Sequence, residues 1–342
     1  MRALVLLASC LPFIMASLSA AQVAVNVDAT ANPHPISPLV YGVAFGSAAQ
    51  LSDLNAPANR WGGNSTTRYN WQVNSSNRAS DYFFESIGSG TPGQDADQFI
   101  NDAKSSSAQP MMTIPIIDWL AKAGPGHPYP CSFPKTVYPS QQSFDPFDSN
   151  CGNGVLPNGS DITGADPNIA NVPNSTTIQT QWVQHLVGKW GAANQGGLQY
   201  YLLDNEHTIW YGTHRDVHPN GPGMDELFQK MRDYSLAIKS VDSNAVVVGP
   251  EEWGWDGYFY SGKDQQLFGQ NNFSTPDKVA HNNAFYIPWL LDQFHQYETA
   301  NGKRLLDVLS VHYYPQGDLS GHQEFSNDDS ATTQALRNQS TR

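Results

Sequence analysis

Short apolar runs alternate with helical patterns along most of the chain. Six runs predict buried strands near residues 40, 59, 113, 202, 247 and 310, and the first of them covers residues 38–46. Between them, apolar residues recur at helical spacing in segments 94–108, 178–193, 224–241 and 285–300. Apolar strands separated by amphipathic helices indicate a parallel sheet that is covered by helices.

The residues that directly follow these runs are polar or aromatic, as in RWGGN, IIDW, DNEH, PEEWGW and HYYP. A (β/α)8 barrel places functional groups at the C-terminal ends of many strands, whereas an open doubly wound sheet concentrates them at one switch point. The sequence therefore predicts the α/β class and a (β/α)8 TIM barrel.

The predicted strands are two fewer than a closed barrel needs. After Pro315 the chain is polar and shows no further strand pattern. A six-stranded barrel would keep two open edges, and such edges pair or aggregate. We therefore expect a truncated chain in which residues 35–342 form a partial TIM-barrel catalytic domain without its last strands.

The first 21 residues have the features of a secretory signal peptide. Arg2 precedes an apolar run at 3–13, and small residues in SLSAAQ place a cleavage site after Ala20 or Ala21. A buried N-terminal helix is the alternative. No later stretch approaches roughly 18 uninterrupted apolar residues. The sequence thus predicts a secreted, extracellular protein with no membrane anchor, and a strand at residues 22–34.

Composition narrows the set of partners. The formal net charge is −13 at pH 7, and no basic face is available for a phosphate backbone, which argues against nucleic acid. Charged residues are only 14%, while there are nine tryptophans and fifteen tyrosines. This balance is typical of secreted proteins that stack sugar rings on aromatic side chains. We expect about half or more of the aromatic side chains to pack in the core instead. We expect a monomer.

Two further patterns concern cross-links and metals. Cys131 and Cys151 remain after signal removal and predict one disulfide in a Pro-rich segment, with metal ligation as the weaker alternative. An oxygen-rich loop could hold a structural Ca2+, and turn formation explains it equally well; its residues are Asp145, Asp148, Asn150 and Asn153. His214 and His218 lie outside any H-E-x-x-H motif, so we predict that they are surface or substrate-lining groups rather than metal ligands. No cofactor is required and no catalytic metal is predicted.

Glu206 is the main catalytic candidate. It directly follows an apolar strand and precedes Trp210 and Tyr211, so its carboxyl is expected to be poorly hydrated, with a raised pKa. A protonated carboxyl suits a general acid for a glycosidic oxygen, and Asn205 could bind the sugar 2-hydroxyl. An ion pair at a helix start is the alternative.

Glycoside hydrolysis also needs a second carboxylate. Glu251 and Glu252 are the obvious candidates at the next strand end, and Asp118 is a weaker one. For both glutamates we favour substrate contact or support of the site, and Glu252 is included among the predicted substrate-binding residues.

Four blocks resemble glycoside hydrolase family 44: RWGGNSTTRYNW (60–71), DNEHTIW (204–210), GPEEWGW (249–255) and SVHYYPQGD (310–318). The resemblance implies a retaining endo-β-1,4-glucanase acting on soluble cellulose derivatives and often on xyloglucan. It implies a barrel joined to a small β-sandwich, whose first strand would be residues 22–34. Glu206 resembles the acid/base, Asn205 the preceding amide, and Arg60 the arginine that supports the nucleophile. The resemblance also implies cleft-lining residues: Trp61, Asn64, Trp71, Trp210, Trp253, Trp255, His312 and Tyr313.

The sequence departs from the family at the nucleophile. The family places a glutamate after strand seven in a block resembling I-T-E-Y-N-W, and this block does not occur in the 342 residues. We therefore expect the isolated chain to be inactive or nearly so, because the covalent step has no nucleophile. The alternatives are a non-catalytic glucan-binding protein and a retaining xylanase or mannanase of a related barrel family.

Overall fold

A computed structural model describes residues 28, 30, 31, 35–88, 90–122, 126, 129–314 and 328–340. The predicted signal peptide and most of the predicted strand at 22–34 lie outside the described residues, so secretion stays a prediction. The chain divides into two compact units, Met1–Val40 and Tyr41–Arg342. In the first, Pro38–Val40 forms a short 3-10 turn. All strands and α-helices described below belong to the second.

Ten strands are present in the described residues, and they are short. They are β1 Val43–Ala44, β2 Ala58–Trp61, β3 Ser75–Asn77, β4 Ser86–Gly88, β5 Gln109–Ile114, β6 Trp119–Ala121, β7 Asn171–Pro173, β8 Tyr200–Leu203, β9 Val246–Trp253 and β10 Val308–His312. The helices are α1 Ala48–Leu54, α2 Gln94–Ser105, α3 Thr176–Trp190, α4 Trp210–Thr213, α5 Met224–Val241, α6 Gly254–Phe259, α7 Gly262–Gly269, α8 Pro276–Ala280, α9 Tyr286–Asn301 and α10 Ala331–Ser340.

Six strands form one parallel sheet in the order β1-β2-β5-β8-β9-β10, which is also their order along the chain. Helices lie between successive strands of this sheet, as in a (β/α)8 barrel. The predicted fold class is therefore confirmed: the chain is an α/β protein with a partial TIM barrel. Two antiparallel pairs, β3-β4 and β6-β7, lie outside the sheet.

The first predicted strand is the main difference. Residues 38–46 were expected to form a buried strand, but only Val43–Ala44 pair with the sheet, Val43 is half-buried and Ala44 is exposed. β1 has one neighbour, β2, and an edge strand is covered less than a central one. The four predicted helices agree with α2, α3, α5 and α9 within a few residues.

The core lies between the sheet and its helices. On α5, the buried residues Leu227, Met231 and Ile238 recur at helical spacing and face inward. Trp182 of α3 and Met112 of β5 are fully buried in the same cluster. Each large side chain buried in this way contributes on the order of 1.5–3 kcal/mol before entropy is counted.

A long connection, residues 122–175, lies between β6 and α3 and includes β7; the structure describes residues 122, 126 and 129–175 of it. The predicted disulfide between Cys131 and Cys151 is confirmed, and it joins residues whose Cα atoms lie 5.7 Å apart. A buried ion pair joins Arg68 to Asp216 at 2.6 Å, and the Ser132 hydroxyl donates to the same aspartate oxygen. The disulfide closes a loop within this connection, and hydrogen bonds from Ser132 to Asp216 and from Arg68 to Asn171 join it to the barrel.

The structure also bears on dinucleotide binding and on membrane spans. Segment 88–93 has the spacing G-x-G-x-x-G, but the strand before it, β4, belongs to an antiparallel pair rather than to the parallel sheet. Among the described residues, none of the helices has the length and apolar character that crossing a bilayer requires.

Candidate active site

The chain turns sharply after β8, and this turn places Glu206. Asp204 and Glu206 both have left-handed backbone conformations, with φ of 66° and 46°. The carboxyl of Asp204 accepts hydrogen bonds from the N–H groups of Ile116 and Ile117, at 2.7 and 3.2 Å, and so ties β8 to the end of β5. Burial raises the pKa of Asp204 to about 7, although these two donors oppose the shift.

Glu206 lies between the ends of β8, β9 and β10. Its N–H donates to the carbonyl of Glu251 at 2.9 Å, which fixes its backbone to β9. Its Oε1 lies 2.6 Å from Nδ1 of His312 and 3.5 Å from the hydroxyl of Tyr314. Only 7% of Glu206 is exposed. The carboxyl therefore points into the site and has an imidazole partner, which the sequence analysis did not predict.

Arg60, at the end of β2, connects the other groups. Its Nε donates to Glu251 Oε2 at 2.8 Å, and its Nη2 donates to Asn205 Oδ1 at 2.9 Å. Nε2 of His312 lies 3.1 Å from the same glutamate oxygen. Asn205 donates in turn to Asn64 Oδ1 at 3.1 Å. The network thus spans β2, β8, β9 and β10.

The contacts among Glu206, Glu251, His312 and Arg60 determine which of these groups are ionised. Burial would raise the pKa of Glu251, but the hydrogen bond to His312 and the charge of Arg60 outweigh it and lower the pKa. Burial would lower the pKa of His312, but its hydrogen bonds to Glu206 and Glu251 raise it to about 9. At neutral pH, Glu251 is therefore an anion and His312 a cation.

A cavity of about 400 Å³ opens over the network. Its walls are Arg60, Glu251, Val311, His312, Tyr313 and Tyr314. An arginine, an ionised glutamate, an imidazole and two phenols at one end of a parallel sheet suit a polar substrate with many hydroxyls.

Glu252 is placed differently from its prediction as a substrate-binding residue. It is fully buried, and its Oε1 accepts hydrogen bonds from the Thr208 hydroxyl at 2.6 Å and the Trp253 N–H at 2.9 Å. Its Oε2 lies 3.9 Å from Nδ1 of the buried His207. Burial raises the pKa of Glu252 to about 7 and lowers that of His207 to about 4. Glu252 therefore supports the site from behind and does not line the cavity.

Glu251, rather than the predicted Glu252, lines the cavity. Between β9 and β10, Ser310 pairs with Pro250 and Val311 pairs with Glu252, so Glu251 is the extra residue of a bulge. Glu251 also has a left-handed φ of 55°. A bulge redirects the side chain, and strand alternation alone cannot show it.

The predicted aromatic residues fall into two groups. Trp61, Trp71 and Trp210 belong to the core or pack against it and do not line the cavity. Trp253 lies 4.7 Å from the Tyr314 ring, centroid to centroid, while 66% of Trp255 and 74% of Tyr313 are exposed. Adjacent strand residues point to opposite faces, so Arg60 enters the site and Trp61 packs against the helices.

Two residues of the site, Tyr314 and Asp81, were not predicted. The carboxyl of Asp81 accepts a hydrogen bond from the Asn64 amide at 3.1 Å, and burial raises the pKa of Asp81.

The remaining candidates lie outside this network. The side chain of Asp118 is 61% exposed and pairs with Lys230, and His218 contacts Glu226 at 2.9 Å. Ligand atoms of Asp118, His218 and Glu226 lie within 4.8 Å of one another, but Lys230 already supplies a cation there. His214 is fully buried, which contradicts its predicted surface or substrate-lining position.

The predicted calcium loop is built from turns. Asp145 accepts from the N–H groups of Phe147 and Asp148, both at 3.1 Å, and Asp148 accepts from the Tyr129 N–H at 2.8 Å. These contacts match the turn-forming alternative. Binding of Ca2+ at this loop stays a prediction.

Comparison with known proteins identifies the family. The sequence model of glycoside hydrolase family 44 matches residues 75–317. The chain belongs to glycoside hydrolase family 44. A bifunctional glucanase-xylanase from a metagenome library is 51% identical with a TM-score of 0.86, over 90% of this chain and 59% of that one. A family 44 xyloglucanase of Paenibacillus polymyxa is 27% identical with a TM-score of 0.65, over 90% of this chain and 57% of that one.

Two curated proteins are similar to the chain at 27% and 28% identity. Endoglucanase A of Paenibacillus lautus is 28% identical over 95% of this chain and 44% of its own length. The β-mannanase/endoglucanase A of Caldicellulosiruptor saccharolyticus is 27% identical over 86% of this chain and 21% of its own length. The chain thus spans less than half the length of these two relatives.

Proposed function

We propose that the protein is a secreted endo-β-1,4-glucanase that hydrolyses soluble β-1,4-glucan and xyloglucan with retention of configuration. The observation that carries this proposal is the carboxyl of Glu206, which lies at the end of β8 among His312, Tyr314 and the Arg60 network. Membership of family 44 and relatives described as endoglucanases and a xyloglucanase support the reaction class. We assign Glu206 as the acid/base.

The proton for the leaving group is held by a pair of residues. Glu206 Oε1 and His312 Nδ1 are 2.6 Å apart, and the raised pKa of His312 keeps a proton on this pair at neutral pH. Glu206 passes the proton to the glycosidic oxygen as its bond to the sugar breaks. In the second step the pair takes a proton from the attacking water.

Asn205 binds the substrate beside this pair. Its Oδ1 is occupied by Arg60 and one amide N–H by Asn64, which leaves the amide plane fixed. An amide nitrogen has two N–H donors, so the second is directed at the sugar 2-hydroxyl.

Glu251 holds the site in place and is not the nucleophile in this proposal. Retention needs two carboxyls roughly 5–5.5 Å apart. The whole imidazole of His312 separates Glu206 from Glu251, and Arg60 and His312 both bind Glu251 Oε2. The nucleophile is then the strand-seven glutamate that the family resemblance implies.

The test is release of reducing ends from carboxymethylcellulose and xyloglucan by the product of the whole reading frame, beside the 342-residue chain. Glu206→Gln is expected to reduce the rate by about 10²- to 10⁴-fold. The loss should be much smaller for an aryl cellobioside whose leaving group needs no proton. Glu298→Gln, at a surface ion pair on α9, is the matched control. Full activity in Glu206→Gln would refute the assignment.

A second candidate, cleavage of xylan, is favoured by one finding. The structural relative at 51% identity is described as a bifunctional glucanase-xylanase. Xylan therefore belongs in the same substrate panel, with β-mannan as a third substrate. Equal rates on xylan and glucan would extend the proposed substrate class, and no hydrolysis of any β-1,4-linked polymer would favour a binding protein.

A further inference from the structure

A second cavity, of about 320 Å³, is lined in part by Tyr211 and Gly212, which follow Glu206 in the same connection. Its walls come from residues 161–163 between β6 and β7, residues 211–219 after β8, and residues 266–270 at the end of α7, all of which lie between successive strands of the parallel sheet. The C-terminal ends of parallel strands meet at one edge of a sheet, so this cavity and the site of Glu206 share one end of the barrel.

The polar groups of this cavity are available to a ligand. The side chains of Thr163, Tyr211 and Gln270 make no hydrogen bond to any residue in the described part of the chain. They supply two hydroxyls and one amide, and Tyr211 adds a half-buried aromatic ring. Sugar hydroxyls both donate and accept hydrogen bonds, and sugar ring faces pack on aromatic rings.

The charges in the cavity are balanced, which points to an uncharged ligand. Arg215 Nε lies 3.0 Å from Asp161 Oδ1, and its Nη2 donates to the Asn153 carbonyl at 2.8 Å. The guanidinium also lies 4.6 Å from the centre of the Phe84 ring. Arg215 is therefore engaged by the protein and is not free to pair with an anionic ligand.

The position of the cavity is fixed relative to the acid/base. Tyr211 directly follows Trp210, whose indole N–H donates to the Asn205 carbonyl at 3.1 Å. A Cβ on Gly262, the first residue of α7, would lie 2.7 Å from the carbonyl oxygen of Thr208, so α7 lies against the turn that follows Glu206. A substrate bound at Glu206 can therefore extend toward this cavity along the barrel end.

We propose that the cavity defined by Thr163, Tyr211 and Gln270 binds one uncharged pyranose unit of the substrate, either a backbone glucose or a branch sugar. This inference rests on the proposed glucanase function. A volume of about 320 Å³ is at the lower end of the range for small-molecule pockets, about 300–1,000 Å³. It accommodates one or two sugar rings rather than a long chain.

The test compares two oligosaccharides that share a backbone. Cellotetraose and a xylose-branched xyloglucan heptasaccharide are titrated calorimetrically into the 342-residue chain and into Thr163→Ala/Gln270→Ala. Each lost hydrogen bond weakens binding by about 3- to 10-fold, so about tenfold or more is expected for the double variant. Thr91→Ala/Gln94→Ala alters the same two residue types in a separate cavity of about 370 Å³ and should stay within about twofold of the unchanged chain. Melting temperatures of both double variants verify folding.

The outcomes separate the two sources of the sugar and the two proposals. A branch sugar predicts weaker binding of the heptasaccharide alone, and a backbone glucose predicts weaker binding of both ligands. Unchanged affinity in the cavity variant, or an equal loss in the control variant, overturns the cavity while leaving the glucanase proposal intact. Failure of the unchanged chain to bind either oligosaccharide overturns the cavity, and reducing-end release then decides the glucanase proposal separately.

Discussion

His312 is the residue that joins the two carboxyls of the candidate site, and its charge has a measurable consequence. Its pKa is raised from 6.5 to about 9 by its bonds to Glu206 and Glu251, against the effect of burial and the nearby Arg60. A raised folded-state pKa stabilises the protein fully below pH 6.5, and this stabilisation is lost as pH rises through about 9.

Replacing His312 with glutamine should therefore remove a pH-dependent part of the stability. At pH 6 we expect His312→Gln to lower the free energy of unfolding by on the order of 1–3 kcal/mol, with a smaller difference at pH 9.5. Urea unfolding at both pH values measures this. His295→Gln, at an exposed histidine of α9, is the control. A difference that stays constant from pH 6 to 9.5 would contradict the assigned charge.

Glu252 gives a second pH-dependent prediction, because the folded protein favours the neutral form of its carboxyl. Burial raises its pKa from 4.5 to about 7, so its contribution to stability is present below pH 4.5 and is lost as pH rises through about 7. Glu252→Gln keeps an acceptor for Thr208 and Trp253 and cannot ionise. We expect its unfolding free energy, relative to the unchanged chain, to rise by on the order of 1–2 kcal/mol between pH 5 and pH 8.

The matched comparison for this prediction is Glu252→Ala. It removes the acceptor for the Thr208 hydroxyl and the Trp253 N–H and leaves a gap in the interior. It should be less stable than the unchanged chain at every pH by about 2 kcal/mol or more. If Glu252→Gln were as unstable as Glu252→Ala at pH 8, the carboxyl would have to be ionised and stabilised there.

At the scale of elements, the 122–175 connection is expected to depend on its disulfide. Cys131 and Cys151 are separated by 20 residues, and closing a loop of that size restricts the unfolded chain by about 3 kcal/mol. Replacing both cysteines with serine should lower the unfolding free energy by roughly that amount in denaturant melts. Hydrogen exchange should quicken first within residues 129–162. An unchanged melt would show that the disulfide adds nothing to the bonds of Ser132 with Asp216 and of Asn171 with Arg68.

Elements were predicted better than the side chains that they carry. The period of apolar residues gave α5 within its observed bounds, because one buried face of a helix repeats every three or four residues. The bulge that turns Glu251 into the site depends on how β9 pairs with β10, which no local pattern records. The same limit applies to Trp61 and Trp210, since aromatic letters near a strand end fit a sugar platform and a core equally well.

At the scale of the whole molecule, the sequence predicted the partial barrel and the position of Glu206 at one of its strand ends. The prediction worked because both follow from strand order and from the direction in which parallel strands end. The imidazole beside Glu206 was not predicted as its partner, because His312 lies 106 residues away and meets it only through the sheet. Secretion stays a prediction. The sequence predicted a monomer, whereas the exposed edge of β10 predicts that the 342-residue chain self-associates.

The last prediction concerns the edge of β10 that faces away from β9. Val308, Leu309 and Val311 are 40%, 47% and 44% exposed, and in the described residues β10 pairs with β9 alone. An apolar strand with an unpaired edge is a template for association, and a lysine on such an edge prevents it. We expect the 342-residue chain to self-associate with rising concentration in sedimentation velocity, and Leu309→Lys to reduce this. Val279→Lys changes an apolar residue on α8 that is 59% exposed, and it should not reduce the association. Association that is insensitive to Leu309→Lys would place the contact on another surface.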